Sequence, residues 1–140
     1  MICSDVMWAD PPSLSPEESA RAAVDRLIEH NVAALPVVEA DGGYVGLISE
    51  RTLVRRVLGE DLDPSLTLCS LIADRRVPTC DPDDPVAVAL RRMDEGNYRW
   101  LPVVAQGRLV GMINSRDVRA RTGRSETEGM HSVSDAALRH

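Results

Sequence analysis

The sequence predicts an α/β (α+β) protein of two pseudo-symmetric repeats, each a small sheet with two helices, packed sheet to sheet. Three observations point there. The chain repeats itself: residues 31–38 read NVAALPVV and residues 97–104 read NYRWLPVV, an offset of 66. Held backwards, that offset pairs Pro16 with Pro82, Ala23 with Ala89, Arg26 with Arg92 and Glu29 with Glu95. It drops to 65 after one deletion in a turn, and then pairs Gly42 with Gly107, Val45-Gly46 with Val110-Gly111, Ile48 with Ile113 and Arg51 with Arg116. Each copy also follows the order helix, strand, strand, helix. Finally, a unit of about 50 residues has an apolar face it cannot cover alone, and a second copy covers it.

The elements follow in order. Ser15-Pro16-Glu17-Glu18 and Asp81-Pro82-Asp83-Asp84 both read as helix starts, with a capping residue, proline at the first helical position and acid in the first turn. Ala20, Ala23, Val24 and Leu27 then form one apolar stripe, and Val86, Ala89, Leu90 and Met93 form another. His30-Asn31 and Gly96-Asn97 end these helices. Strands over 35–38 and 101–104 follow. Pro36 and Pro102 lack a ladder donor, which places them at a strand start or an edge. Turns at Asp41-Gly42-Gly43 and Gln106-Gly107 lead to strands over 44–48 and 109–113 as hairpin partners. Second helices begin at Ser49, ending near Gly59, and at Asn114. Short strands are expected before the first helices, around Ser13-Leu14 and Val77-Pro78-Thr79. Repeat one is assigned 1–58, the linker 59–70, repeat two 71–121 and a polar tail 122–140, with a short helix from Cys69 to Asp74 leading into repeat two.

Composition narrows the function. With 16 Lys plus Arg against 22 Asp plus Glu, the net charge is −6, which argues against nucleic acid as the main partner but not against a small anion in a local pocket. Aromatic residues are 3% and Phe is absent, so the core must be Val, Leu, Ile and Ala. Three scattered cysteines, Cys3, Cys69 and Cys80, do not make a disulfide scaffold. Without an 18-residue apolar run or a signal-like opening, a cytoplasmic, non-membrane setting is the simplest expectation. There is no G-x-x-x-x-G-K-[ST] loop and no G-x-G-x-x-G fingerprint. His30, His131 and His140 match no metal-ligand spacing, and no Ser-His-Asp or Cys-His set is evident, so neither a metal site nor an enzyme is expected.

Taken together, helix, Leu-Pro-Val-Val, a glycine turn, and Val-Gly-Leu-Ile-Ser-Glu-Arg-Thr or Val-Gly-Met-Ile-Asn-Ser-Arg-Asp resemble a pair of cystathionine-beta-synthase (CBS) domains, a Bateman module. Asp5-Val6-Met7 is similar to the usual family opening. The resemblance covers about 120 of the 140 residues. It implies βαββα-type units with two clefts between them, further pairing into a homodimer, and a non-catalytic role. It also implies an adenosine-containing ligand: AMP, ADP, ATP, S-adenosylmethionine or NAD. No cofactor is obligatory.

Residues carry over position by position. The family's nucleotide signature falls on Gly111, Met112, Ile113, Asn114, Ser115, Arg116 and Asp117. Asp117 would accept bonds from two ribose hydroxyls. Asn114 stands where a hydroxyl residue is usual, and would donate to phosphate or cap the helix. Arg116 is a candidate for phosphate or partner contact. Thr52 replaces the ribose-binding aspartate in copy one, so the Thr52 cleft is expected to be weak or empty. By resemblance, Val77, Pro78 and Thr79 would approach the adenine, with Tyr98, Arg99 and Pro102 completing the wall. Against these stand plainer roles: helix capping for Asn114 and Asp117, solvation for Arg116 and Arg99, and sealing of an interface for Trp100. Two functions therefore remain open. One is a regulatory adenosine-ligand sensor with a possible regulated protein partner. The other is a dimeric interaction scaffold with vestigial clefts.

Overall fold

The computed structural model describes residues 1–123. In chain order its elements are α1 (Cys3–Val6), β1 (Trp8–Ala9), α2 (Ala20–His30), β2 (Ala34–Val38), β3 (Tyr44–Ser49), α3 (Glu50–Leu53), α4 (Cys69–Ile72), α5 (Val86–Gly96), β4 (Trp100–Ala105), β5 (Arg108–Asn114) and α6 (Ser115–Thr122). A π-helical turn, Val54–Leu58, continues α3 up to Gly59. The rest of the polar tail, with His131 and His140, lies outside the described residues.

The two long helices begin later than the sequence suggests. Ser15 to Glu18 forms a turn, in which the Ser15 amide donates to Glu18 Oε1 (2.9 Å). The helix starts at Ala20, and Ser19 is the cap, accepting from the Ala22 amide at 3.1 Å. Asp81 to Asp84 is likewise a turn; α5 starts after Pro85, which has no side-chain cap bond. The reason is an exchange of arms. Ser70 N donates to Pro16 O and Cys69 N to Glu18 O, while the Ala20 amide donates to Thr67 O. At offset 66, Ser4 N donates to Pro82 O, Cys3 N to Asp84 O, and Val86 N to Met1 O. Each arm thus occupies the turn where a cap was expected and accepts from the first amide of a helix, which has no partner within the helix. The arm that precedes repeat one in sequence packs on repeat two, and the arm that precedes repeat two packs on repeat one.

The hydrophobic clusters follow this exchange. One joins Leu35, Val37 and Ile48 to α2 residues Ala23 and Leu27 and to Cys69 and Ile72 from α4. Its counterpart joins Leu101, Val103 and Ile113 to Ala89, Leu90 and Met93 and to Cys3 and Val6 from α1. A third, smaller cluster lies between the sheets: Ala34 and Leu47 from one, Trp100 and Met112 from the other, with Val77. The alternation of strand side chains assigns one face to each repeat's helices and the other to the shared layer. Val38 and Val104, which follow register shifts in β2 and β4, are only half-buried.

The sheets are β2–β3, and β1–β5–β4, with all pairs antiparallel. A single bridge, Leu47 to Asp74, stands in repeat one where β1 pairs β5 in repeat two. Leu14 and Cys80 add parallel one-residue bridges at Val37 and Val103. Pro36 and Pro102 are interior to their strands but at the sheet edge. The Leu14 and Cys80 amides donate to their carbonyls, so the missing N–H faces away from the hairpin partner. Gly46 and Gly111 are where the arms come closest. A Cβ on Gly46 would lie 3.0 Å from Ala73 Cβ, and one on Gly111 would lie 2.6 Å from Met7 Sδ.

Two expectations follow. Deleting residues 1–7 should deprotect the start of α5 and residues 82–86 in hydrogen–deuterium exchange, leaving the start of α2 protected; the reverse pattern would refute the exchange of arms. The second concerns Arg26, which reaches Ser13 O (2.8 Å) and both oxygens of Glu18 (3.0 and 2.8 Å). The Arg26 hydrogen bond holds the Glu18 carboxyl below the usual carboxylate range. A group lowered on folding contributes stability above its unfolded value and loses it as pH falls through the folded one. Glu18→Gln should therefore lower the urea midpoint near neutrality and flatten its fall between about pH 5 and about pH 3.

Candidate functional site

Two clefts flank the shared layer, and Trp100 lines both. The Asp117 cleft has a volume of about 400 Å³ and is lined by Val6, Met7, Trp8, Trp100, Met112, Asn114, Asp117, Ala120 and Arg121. The N-terminus of α6 sets its polar end. Asn114 is only 4% exposed, and its Oδ1 accepts from the amides of Arg116 (2.9 Å) and Asp117 (3.2 Å). That fixes the amide orientation, because only the oxygen can take two donors. Asn114 Nδ2 is left buried with no hydrogen-bond partner among the described residues, as is Trp100 Nε1. Each such donor costs about 1–3 kcal/mol until it meets an acceptor. Asp117 is exposed on the same helix turn.

The Thr52 cleft is larger, about 810 Å³. Ala33, Ala34 and Leu47 come from the sheet of repeat one, Arg51, Thr52, Arg55 and Arg56 from α3 and the π-helical turn, residues 71–77 from α4 and the segment after it, and residues 96–100 from repeat two. Six arginines, Arg51, Arg55, Arg56, Arg75, Arg76 and Arg99, line it against Glu50 and Asp74. Some are occupied: Arg56 pairs with Glu60 at 3.0 Å, Arg76 with Asp74 at 3.5 Å, and Arg75 donates to Ser70 O at 3.0 Å. Thr52 is turned inward. Its Oγ1 accepts from the Ser49 amide and meets Ser49 Oγ at 3.0 Å, while its own amide donates to Ser49 Oγ. The hydroxyl in the aspartate position closes a reciprocal cap.

The structure splits the set of residues expected to form one pocket. Asn114 and Asp117 line the smaller cleft; Val77, Tyr98 and Arg99 line the larger. Arg116 is exposed and lines neither. Pro78 and Thr79 are half-buried outside both linings, and Thr79 O accepts from Arg92 Nη1 at 2.6 Å. Pro102 is buried in β4, opposite Met112. The grouping fails because residues 73–77 run along β3 and repeat one, so the segment opening repeat two walls the cleft of repeat one. Trp100 belongs to the layer between the repeats, in keeping with its expected sealing role. Sequence reasoning missed Met7 and Trp8: β1 pairs Trp8 with Met112, and Met7 lies beside Gly111. It also missed Arg55 and Arg56. The available signal was Cys3-Ser4 recurring as Cys69-Ser70 at offset 66, which marks Met7 and Trp8 as equivalents of Ala73 and Asp74.

No helix among the described residues is long and apolar enough to cross a membrane. No group of three or more His, Cys, Asp and Glu among them could hold a metal ion.

Comparison with known proteins agrees with this architecture. A CBS-domain family model matches residues 3–59 and again 70–122. Hypoxic response protein 1 of Mycobacterium tuberculosis is 28% identical over 114 residues, covering 81% of this chain and 80% of that protein. The crystal structure of Hypoxic Response Protein I, which carries two coordinated zinc ions, superposes with a TM-score of 0.80 at 28% identity, over 86% of this chain and 98% of that one. The CBS domain pair of protein MJ0100, solved with 5′-methylthioadenosine and S-adenosyl-L-methionine, gives 0.72 at 27% identity, over 88% and 96%. The duplication, the paired sheets with open clefts and the two family matches in tandem lead to one conclusion: this chain belongs to the CBS-domain family, as a tandem pair or Bateman module of the regulatory, non-catalytic kind.

Proposed function

We propose that the chain is a regulatory module that binds an adenosine-containing ligand of the AMP, ADP, ATP, S-adenosylmethionine or NAD class and signals through a change in conformation or oligomeric state. The observation that carries this reading is the Asp117 cleft, where two buried donors without partners, Asn114 Nδ2 and Trp100 Nε1, share a wall with the Asp117 carboxylate. A nucleoside offers the complementary groups: ribose hydroxyls for the carboxylate and ring or hydroxyl acceptors for the donors. The MJ0100 pair, with its two adenosine-containing ligands, supports the ligand class. The zinc ions belong to the Hypoxic Response Protein I structure; among the described residues of this chain no group of three or more His, Cys, Asp and Glu could hold a metal ion.

The Thr52 cleft suits a different ligand chemistry. With Thr52 closed on Ser49, the position equivalent to Asp117 offers no carboxylate to a ribose, but the arginine excess over Glu50 and Asp74 favours phosphate even though the chain as a whole is acidic. Val77, Tyr98 and Arg99 act in this cleft in the proposed reading, and Arg116, Pro78, Thr79 and Pro102 act only indirectly. A homodimer scaffold is the second reading. Val54, Leu58 and Leu71, which are 56%, 69% and 60% exposed on repeat one, favour it.

A thermal-shift panel of adenosine, AMP, ADP, ATP, NAD and S-adenosylmethionine tests the proposal. At least one ligand should raise Tm saturably, and Asp117→Ala should weaken that ligand about tenfold or more, as expected for loss of a charged hydrogen bond. No shift across the panel, with a persistent dimer in light scattering, would establish the scaffold instead. If the Thr52 cleft takes phosphate, affinity rises from AMP to ATP, and the double substitution Arg51→Gln, Arg55→Gln flattens that series while leaving adenosine unaffected. A series that is flat in the parent protein would remove phosphate from that cleft.

A further inference from the structure

We propose that Cys3 and Cys80 are a redox-modification site, at which a peroxide-class oxidant joins the two thiols in a reversible disulfide that fastens the exchanged arm of residues 1–7 to repeat two. Both residues sit in one hydrophobic cluster, 0% and 2% exposed, and both are free thiols. Backbone bonds seat Cys3 on the turn of residues 81–84 that directly follows Cys80. Cys3 N donates to Asp84 O and Ser4 N to Pro82 O, each at 2.9 Å, while Cys80 N donates to Pro102 O at 3.0 Å and Cys80 O accepts from Val104 N at 2.8 Å. The two side chains lie close enough to influence one another directly.

The duplication supplies an internal control. At offset 66, Cys3 corresponds to Cys69 and Cys80 to Leu14. Cys69 and Leu14 share the cluster of repeat one, both 0% exposed, and the Cys69 thiol donates to Ser19 O at 3.5 Å. The same seat is therefore filled by cysteine and leucine in repeat one and by two cysteines in repeat two. Leucine satisfies the packing there, so packing does not require the second thiol.

Burial pushes both thiols up, and Cys69 to about 11, so all three are unreactive while the arms are docked. The Cys80 thiol stabilises the Cys3 thiolate, and Arg92 favours the thiolate on both, whereas Asp84 opposes it on both. Cys3 is the sulfur that reaches solvent when α1, a single turn of four residues, opens, because Cys80 is tied to β4 through both its amide and its carbonyl. Its thiolate takes one oxygen from hydrogen peroxide, giving a sulfenic acid and, after protonation, one water. The Cys80 thiolate attacks that sulfur and expels hydroxide, which is protonated to a second water. Two thiols have lost two electrons to the peroxide, and a dithiol reductant returns them. The fastened arm carries Met7 and Trp8, so the crosslink also holds one wall of the Asp117 cleft.

The full chain is treated with hydrogen peroxide, quenched, and analysed by mass spectrometry without reduction. The proposal requires a mass loss of about 2 Da, a Cys3–Cys80 linked peptide, reversal by dithiothreitol, and exchange of residues 3–8 slowed about tenfold in the oxidised form. Cys69→Ser should keep the crosslink. Cys80→Leu, which installs the pair already present in repeat one, should fold with a cooperative thermal transition and lose the crosslink. Stepwise oxygen additions without a linked peptide, or a crosslink that persists in Cys80→Leu, would overturn the proposal.

Discussion

The whole architecture depends on how two helices find partners for their first amides. An α-helix cannot satisfy its own N-terminal N–H groups, and here the solution is an extended arm from elsewhere in the chain. Thr67 O receives the Ala20 amide and Met1 O receives the Val86 amide. Once these bonds form, α4 must lie on the helices of repeat one and α1 on those of repeat two. The arms then continue past Gly46 and Gly111, where the missing Cβ allows close approach, and become cleft walls. Fold and site share this one constraint.

The two clefts show how equal backbones acquire unequal chemistry. At the two helix starts, Ser49 with Thr52 and Asn114 with Asp117 occupy equivalent places. In the first pair both hydroxyls are consumed by each other and by the backbone. In the second, the asparagine oxygen does all the capping, which frees the aspartate side chain and leaves an amide donor over. For Asn114 the sequence leaves capping and ligand contact free to coexist, and the two would use different atoms, the oxygen for the cap and the amide nitrogen for a ligand. Around these starts the charge also diverges: arginines gather at the Thr52 cleft, while the Asp117 cleft is mostly apolar.

The duplication, the strand pairs, the helix ends at Asn31 and Asn97 and the shared sheet layer were legible in the sequence, because identities at a fixed offset and apolar periodicity report them directly. Both asparagines adopt the left-handed conformation expected of such an end, with φ of 52° and 57°. The helix starts were misread because Ser-Pro-Glu-Glu is a good local cap, and only the long-range bonds from Cys69 and Ser70 show that its backbone is used otherwise. The site was half legible. Asn114 and Asp117 are neighbours in sequence and remain neighbours in space. Tyr98, Arg99 and Val77 were grouped with them because they belong to the same copy; the exchange of arms carries Val77 along repeat one, and Tyr98 and Arg99, just before β4, line the Thr52 cleft beside it.

That exchange also changes what counts as one half of the molecule. The segment of residues 59–66 is largely exposed, with its turns held by local bonds such as the Ser65 amide to Asp63 Oδ1. A cut there would leave two fragments, each owning one long helix and one hairpin, and each holding the arm that completes the other. Neither fragment would be a domain. They would behave as a split protein, complementing one another through two reciprocal clasps and a common apolar layer, so that the covalent linker contributes proximity while the clasps keep the halves in register.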